Sequence, residues 1–150
     1  MSDFLSALKI SGSGLSAQRT RVNLASSNLA NAESTRGPNG QPYKRRDPVL
    51  SPVSFDQQLS LAGRGAGGAG APAGAVGVQV TQIAEDQSGG KRVYSPGHPD
   101  ADQDGFVTLP NVDPIHEVVN LVSAQRGYDA NATAVETLKT MAGRALDITR

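Results

Sequence analysis

The chain has 150 residues with 14 basic and 14 acidic side chains, so its formal net charge is zero and it lacks the basic surface of a nucleic-acid-binding protein. It contains no cysteine, which excludes a disulfide scaffold, cysteine-ligated zinc and thiol catalysis. Leu, Ile, Val and Phe supply only 32 residues and no segment approaches the roughly 18 apolar residues of a membrane span, so we expect neither membrane insertion nor a large self-sufficient core.

The N-terminal region, residues 1–35, is predicted to form one helix of a coiled coil. Its apolar residues recur seven positions apart, at Leu8, Leu15, Val22 and Leu29. This spacing is a heptad seam, one face of a helix that packs against another helix. The helix has a weak stretch at Gly12 and Gly14, because two glycines in a helix interior cost roughly 2 kcal/mol relative to Ala. The helix therefore either starts late or needs partners.

The middle region, residues 36–112, is predicted to be irregular with short β-strands. Gly and Pro at 37–42 are typical of turns and end the first helix. Residues 62–75 contain little besides Gly and Ala, which predicts a flexible insertion. Short extended segments are expected around residues 49–55, 76–80, 92–94 and 106–109.

The C-terminal region, residues 113–150, is predicted to be a second helix. Asp113 can cap its N-terminus and Pro114 suits its first position. Its seam is formed by Leu121, Tyr128, Val135 and Leu138. The fold class is therefore mainly α with a small β region, in which the terminal helices pair as a coiled coil. Burial of apolar surface stabilises a fold by about 25 cal/mol per Å², and two Ala-rich seams bury little of it. The pairing of the two helices alone would therefore be weak, and further copies of the chain are the expected partners.

Sequence motifs that resemble cofactor-binding or catalytic sites occur in this chain without the neighbouring residues or elements that such sites require. Gly65 to Gly70 matches the spacing of a dinucleotide fingerprint, but no buried strand precedes it and Pro72 follows it. His98 and His116 have no neighbouring nucleophile or second histidine at a useful spacing. We therefore expect no cofactor, no catalytic residue and no enzymatic activity.

A calcium loop is suggested by Asp100, Asp102 and Asp104, which precede Gly105 as in an EF-hand. Position 12 of that loop is Asn111, however, which cannot supply a bidentate carboxylate, and prolines flank the segment where helices are required. A small calcium-binding module stays open as an alternative function, and so does a helical-hairpin adaptor or scaffold. The more economical interpretation is an acidic turn without a metal.

The end of the first helix carries the sequence Ser27-Asn28-Leu29-Ala30-Asn31, which resembles the signature of bacterial flagellar rod and hook proteins. Residues 35–43, 93–102, 105–112 and 117–131 resemble, in order, the FlgC-type proximal rod proteins in particular. Two departures are the insertion at 62–75 and Gly127, where Ser or Ala is expected. The resemblance otherwise covers nearly the whole chain.

The resemblance implies a non-enzymatic axial subunit whose terminal helices pair in the inner layer of a helical rod. It implies partners among copies of the chain, other rod proteins, and the inner-membrane ring and base of the export apparatus. It also implies a basal-body rod in the periplasm, reached by flagellar type III export; residues 1–9 have neither the cationic leader nor the apolar run of a cleavable signal peptide. For Asn28 and Asn31, the amides either fix the helix end and contact a neighbour or simply terminate the helix.

Overall fold

The computed structural model describes residues 2–37, 40–54 and 76–148. Its elements follow the chain as α1 (Ser2–Ala30), β1 (Arg46–Ser54), β2 (Val76–Glu85), β3 (Lys91–Tyr94), β4 (Phe106–Leu109) and α2 (Pro114–Ile148). β1 pairs with β2 in one two-stranded sheet, and β3 pairs with β4 in another. The expected class, two terminal helices with a small β region, is confirmed. The Gly/Ala insertion predicted at 62–75 lies outside the described residues, and the boundaries proposed at 35 and 112 stay predictions.

α1 runs without interruption through the glycines at 12 and 14, so it does not start late. Partners support this stretch. The hydroxyl of Ser13 donates to the carbonyl of Ile10 at 2.7 Å and accepts the N–H of Val78, at the start of β2, at 3.1 Å. The sequence allowed either a helix that starts after the glycines or a helix that includes them and is supported by contacts. The structure shows a helix that includes them and contacts β2 at this point.

α2 begins as its sequence predicts. The Oδ1 atom of Asp113 accepts the N–H of Ile115 at 3.0 Å, and the Asp113 carbonyl accepts the N–H of Glu117 at 3.0 Å. A carboxylate at this position satisfies amides that have no partner within the helix. Pro114 occupies the first helical position, where its missing N–H removes no helical hydrogen bond. No helix in the described part of the chain is long and apolar enough to cross a membrane.

The described residues divide into two compact units. The first comprises residues 2–20, 50–54, 76–81 and 124–148. In it the helices meet where Gly14 faces Asn131 and where Gln18 faces Gly127. Residue numbers increase along α1 in the direction in which they decrease along α2, so within this unit the two helices are antiparallel. Their buried apolar residues, Ala17 and Ala124, are small.

The second unit comprises residues 21–37, 40–49 and 82–123. Its buried apolar side chains are Ala25, Ala32, Val107 and Val112. The β3–β4 hairpin belongs to this unit, with Lys91 opposite Leu109 and Tyr94 opposite Phe106 in antiparallel register. The rings of Tyr94 and Phe106 pack edge to face, with their centroids 5.3 Å apart. The core is modest and rich in small residues, as the composition predicts.

Candidate functional site

A cluster of buried and half-buried polar groups joins the end of α1, the segment at the start of β1 and the start of α2. It consists of Asn28, Tyr43, Arg45, the backbone of Arg46, and Glu117, and is called the polar node below. Asn28 is 1% exposed. Its Nδ2 donates to the Arg46 carbonyl at 2.9 Å and to Oε2 of Glu117 at 3.1 Å. Its Oδ1 accepts the Arg46 N–H at 3.0 Å and the Tyr43 hydroxyl at 2.9 Å. All four hydrogen-bonding positions of this amide are therefore used.

Glu117 places a carboxylate in the interior, where it is 1% exposed. Arg45 balances it, since its Nε donates to Oε1 of Glu117 at 2.6 Å. The same guanidinium contacts the carboxylate of Asp47 through Nη1 and, at 3.1 Å, through Nη2. Burial disfavours the charged form of Arg45, but the hydrogen bond to Glu117 and the charges of Asp47 and Glu117 outweigh it, so the pKa of Arg45 is raised above its usual value. The node is thus a fully paired set of charges, which is the condition for burying them.

Turn chemistry brings the segment 40–46 to the helices. The Gly37 N–H bonds to the Gln41 carbonyl at 2.8 Å, and Gly40 adopts a φ of 73°, a conformation that favours glycine. Further along, the Arg45 N–H donates to Oδ1 of Asn111 at 3.1 Å. Asn111 occupies the loop position at which a calcium site would need a carboxylate. In the structure its side chain instead binds the backbone of Arg45, a member of the polar node. Its own Nδ2 is buried without a partner in the described part of the chain.

The node separates the roles of the two asparagines in the signature. Asn31 bonds locally, with Nδ2 donating to the Ser27 carbonyl at 2.8 Å, as expected of a residue that ends a helix. Asn28 instead connects segments distant in sequence. No pattern in the sequence marks Arg45, Tyr43 and Glu117 as members of one site. Glu117 is the first residue of the stretch 117–131 and Tyr43 is the last residue of the stretch 35–43, both of which carry the family resemblance. Their spacing in the sequence does not indicate that the two side chains lie close together in the fold.

The predicted seam residues occupy two environments. On α1 all four are half-buried: Leu8, Leu15, Val22 and Leu29. At 100° per residue they lie about 120–180° around the helix from the buried Ala17. On α2, Leu121, Val135 and Leu138 are half-buried on the side of the helix that carries buried Ala124, and Tyr128 is 40% exposed there. The predicted α1 seam is thus a second stripe, distinct from the small residues that α1 buries, and its function stays a prediction.

An exposed apolar face lies on the first turns of α2. Four branched aliphatic side chains form it: Ile115, Val118, Val119 and Val122, called the 115–122 face below. Ile115 is 77% exposed and Val119 is 60% exposed. Helical periodicity places them on the side of α2 opposite the buried Glu117. Uncharged apolar patches of this kind mark surfaces that contact other molecules.

The acidic turn at 100–105 directs its carboxylates to separate partners. Asp100 accepts the Thr35 hydroxyl at 2.7 Å and lies 3.5 Å from Arg36. Asp102 lies 3.6 Å from Arg92. Among residues 2–37, 40–54 and 76–148, no group of three or more His, Asp or Glu side chains is arranged to hold a metal ion. These pairings argue against the calcium-binding alternative. The glycines of the letter pattern at 65–70 lie outside the described residues.

Comparisons with known proteins agree with this architecture. A family model described as "Flagella basal body rod protein" matches residues 8–38, and one described as "Flagellar basal body rod FlgEFG protein C-terminal" matches residues 103–148. These two segments contain most of α1 and α2. Both models describe subunits of the flagellar rod, which is the class of structural protein that two long terminal helices and a small β region indicate.

Individual relatives narrow the class. The chain is 42% identical over 144 residues to the flagellar basal-body rod protein FlgC of Escherichia coli O6:H1, covering 96% of each chain. It is 44% identical over 148 residues to FlgC of Bacillus subtilis, covering 95% of each, and 37% identical over 147 residues to FlgC of Aquifex aeolicus, covering 98% of each. The chain belongs to the FlgC family of flagellar basal-body rod proteins. It is a structural subunit of the basal body and not an enzyme, as the resemblance predicts.

Proposed function

We propose that this rod subunit assembles with copies of itself and with other rod proteins through its two terminal helices, which pair as a coiled coil. The assembly is a helical shaft that transmits motor torque. Contacts that do not close into a ring generate such shafts, because each subunit presents one surface to the next and a different surface to the previous one. The observation that carries the proposal is the 115–122 face, an uncharged apolar surface that the described residues leave exposed.

The pairing of the helices is supported by their close contacts in the first unit, at Gly14 with Asn131 and at Gln18 with Gly127. It is supported in the second unit by the hydrogen bond between Asn28 and Glu117. Because α1 approaches α2 through small and polar residues, its half-buried stripe of larger residues, Leu8, Leu15, Val22 and Leu29, is available for contacts between subunits. Assembly would then add the apolar burial that the modest core lacks.

Membership of the rod family supports a proposal for the location and the remaining partners. We place the subunit in the periplasmic part of the basal body, in contact with the inner-membrane ring and the base of the export apparatus. We assign its export to the flagellum's own type III route. The balanced charge argues against nucleic acid as a partner.

The test is Val119→Asp, which puts a charge in the centre of the 115–122 face. Val119 is 60% exposed, so the free energy of unfolding of the isolated chain should change by less than about 0.5 kcal/mol. The variant should be absent from purified basal bodies, and the cells should be non-motile in soft agar.

Ser123→Asp is the matched control, since Ser123 is an exposed polar residue of the same helix outside that face. We expect this variant to assemble and to support motility. Normal motility of cells carrying Val119→Asp would contradict the proposal.

A further inference from the structure

The two helices carry the same short motif at the point where they meet. α1 has Gly14 followed four residues later by Gln18, and α2 has Gly127 followed four residues later by Asn131. Residues four apart lie on one face of a helix. Because the helices are antiparallel in the first unit, the glycine of each motif faces the amide side chain of the other. The arrangement is therefore reciprocal.

Both contacts are closer than a side chain on the glycine would permit. A Cβ atom on Gly14 would lie 2.9 Å from both Nδ2 and Oδ1 of Asn131 and 3.0 Å from its Cγ. A Cβ atom on Gly127 would lie 2.9 Å from Cδ of Gln18. Asn131 is held in place, since its Nδ2 donates to the Gly127 carbonyl at 2.8 Å. Asn131 is short and fixed whereas Gln18 is long, so Gly14 is the more restrictive position.

The apolar residues buried in this unit do not define one alignment of the helices. Ala17 and Ala124 are small, and small side chains spaced along two helices pack almost as well after one helix slides by a turn. A polar residue in a helix seam is the usual device that selects one register, because other registers leave it against the wrong surface. A slip of one turn would place Asn131 against Ile10 or Gln18 instead of Gly14.

We propose that Gly14, Gln18, Gly127 and Asn131, called the glycine–amide lock, determine the register of α1 against α2. The lock deepens the proposed function and rests on it in one respect, since the paired helices are the proposed core of the assembly. It also gives a reason for Gly127, which departs from the Ser or Ala expected there: the absent side chain leaves room for Gln18.

The test uses disulfide formation in the full chain, which has no cysteine of its own. Ala7 lies seven residues before Gly14, and Leu138 lies seven residues after Asn131. Because the helices are antiparallel, we expect these two positions to face each other in the native register. The pair Ala7→Cys with Leu138→Cys therefore reports the native register. Ala7→Cys combined with Ala134→Cys or with Ala142→Cys reports a slip of one turn in either direction.

In the otherwise unaltered chain, we expect the native pair to oxidise at least about fivefold more completely than either slipped pair, which is the lower end of the effect of leaving a polar group without its hydrogen-bond partner. Replacing all four lock residues with Ala raises helix propensity, so the helices persist, but the ratio should fall to about one. Gly12→Ala with Gly143→Ala is the control, because a Cβ at either position meets no atom within 4 Å. It should keep the native ratio.

An unchanged ratio in the four-alanine variant would overturn the lock. Absence of disulfide in every pair of the otherwise unaltered chain would also overturn it, because the helices would then have no register to fix. Failure of the proposed assembly has a different signature, namely motile cells carrying Val119→Asp while the native pair still oxidises preferentially.

Discussion

Replacing Arg45 with Met should destabilise the chain more than any surface substitution nearby. The change removes the cation and leaves the Glu117 carboxylate, 1% exposed, with the Asn28 amide as its remaining partner among the described residues. Removing one member of a buried ion pair costs about 3–5 kcal/mol. The Arg45 side chain is itself 20% exposed, so water can reach part of the vacated space. We therefore expect a loss of about 2–3 kcal/mol in the free energy of unfolding.

Arg46→Met is the matched control. Arg46 is the adjacent residue, and its guanidinium pairs with Glu85 at 2.8 Å, but both side chains are nearly half exposed. An exposed pair of this kind contributes about 0–1 kcal/mol. The backbone of Arg46, which bonds to Asn28, is unchanged by the substitution. The control also removes the contact of the Arg46 guanidinium with the Tyr43 ring, 5.7 Å from its centroid, so any further loss in Arg45→Met belongs to the buried pair.

The measurement is urea unfolding followed by the helical circular dichroism signal. Adding Glu117→Gln to Arg45→Met should restore more than half of the lost stability, since the neutral amide keeps an oxygen for Asn28 and removes the unpaired charge. The pKa of Arg45 is raised, so its contribution to stability is fully present below the ordinary pKa of an arginine and constant around neutral pH. Equal losses in Arg45→Met and Arg46→Met would refute the argument that burial makes this pair important.

Three further predictions concern other parts of the chain. Tyr43→Phe removes the hydroxyl that donates to Asn28 at 2.9 Å and should lower the free energy of unfolding by about 1 kcal/mol in the same assay; an unchanged midpoint would show that the hydroxyl is dispensable. Val135→Asp, on the predicted α2 seam, should prevent incorporation into rods while leaving secretion of the chain intact, and normal motility would contradict this. Ser88→Ala should raise the pKa of Asp86, which the side-chain and backbone hydrogen bonds of Ser88 lower, back toward 3.8; NMR titration of the carboxyl measures the shift. Because that pKa is lowered, its stabilising effect is present above 3.8 and disappears as pH falls through the folded-state value.

Local patterns predicted the elements of this fold well. The heptad spacing and the Asp113-Pro114 pair indicated both helices, and α2 begins at the residue they imply. The extended segments expected at 92–94 and 106–109 correspond to β3 and β4. Such features depend on residues close together in the chain, so periodicity and capping chemistry are sufficient to locate them.

Contacts between distant residues were not predictable in the same way. The large residues of α1, such as Leu15 and Val22, drew attention to one stripe, but helices at close range pack through small residues such as Ala17. The pairing of Arg45 with Glu117 has no local signal, because neither residue interrupts a pattern. Gly14 was interpreted as a weakness of the helix, although the structure places it where another helix needs the space.

The polar node also has a consequence for the order of folding. Asn28 bonds to residues 18 and 89 positions away, and Arg45 bonds to a residue 72 positions away. Closing loops of this length reduces chain entropy before any contact compensates for it, so contacts of high sequence separation form late. Each helix can nucleate alone within microseconds, whereas the node requires both helices and the segment between them. A chain without its C-terminal region therefore retains the Asn28 amide and the Arg45 cation but lacks the Glu117 carboxylate to which both of them bond.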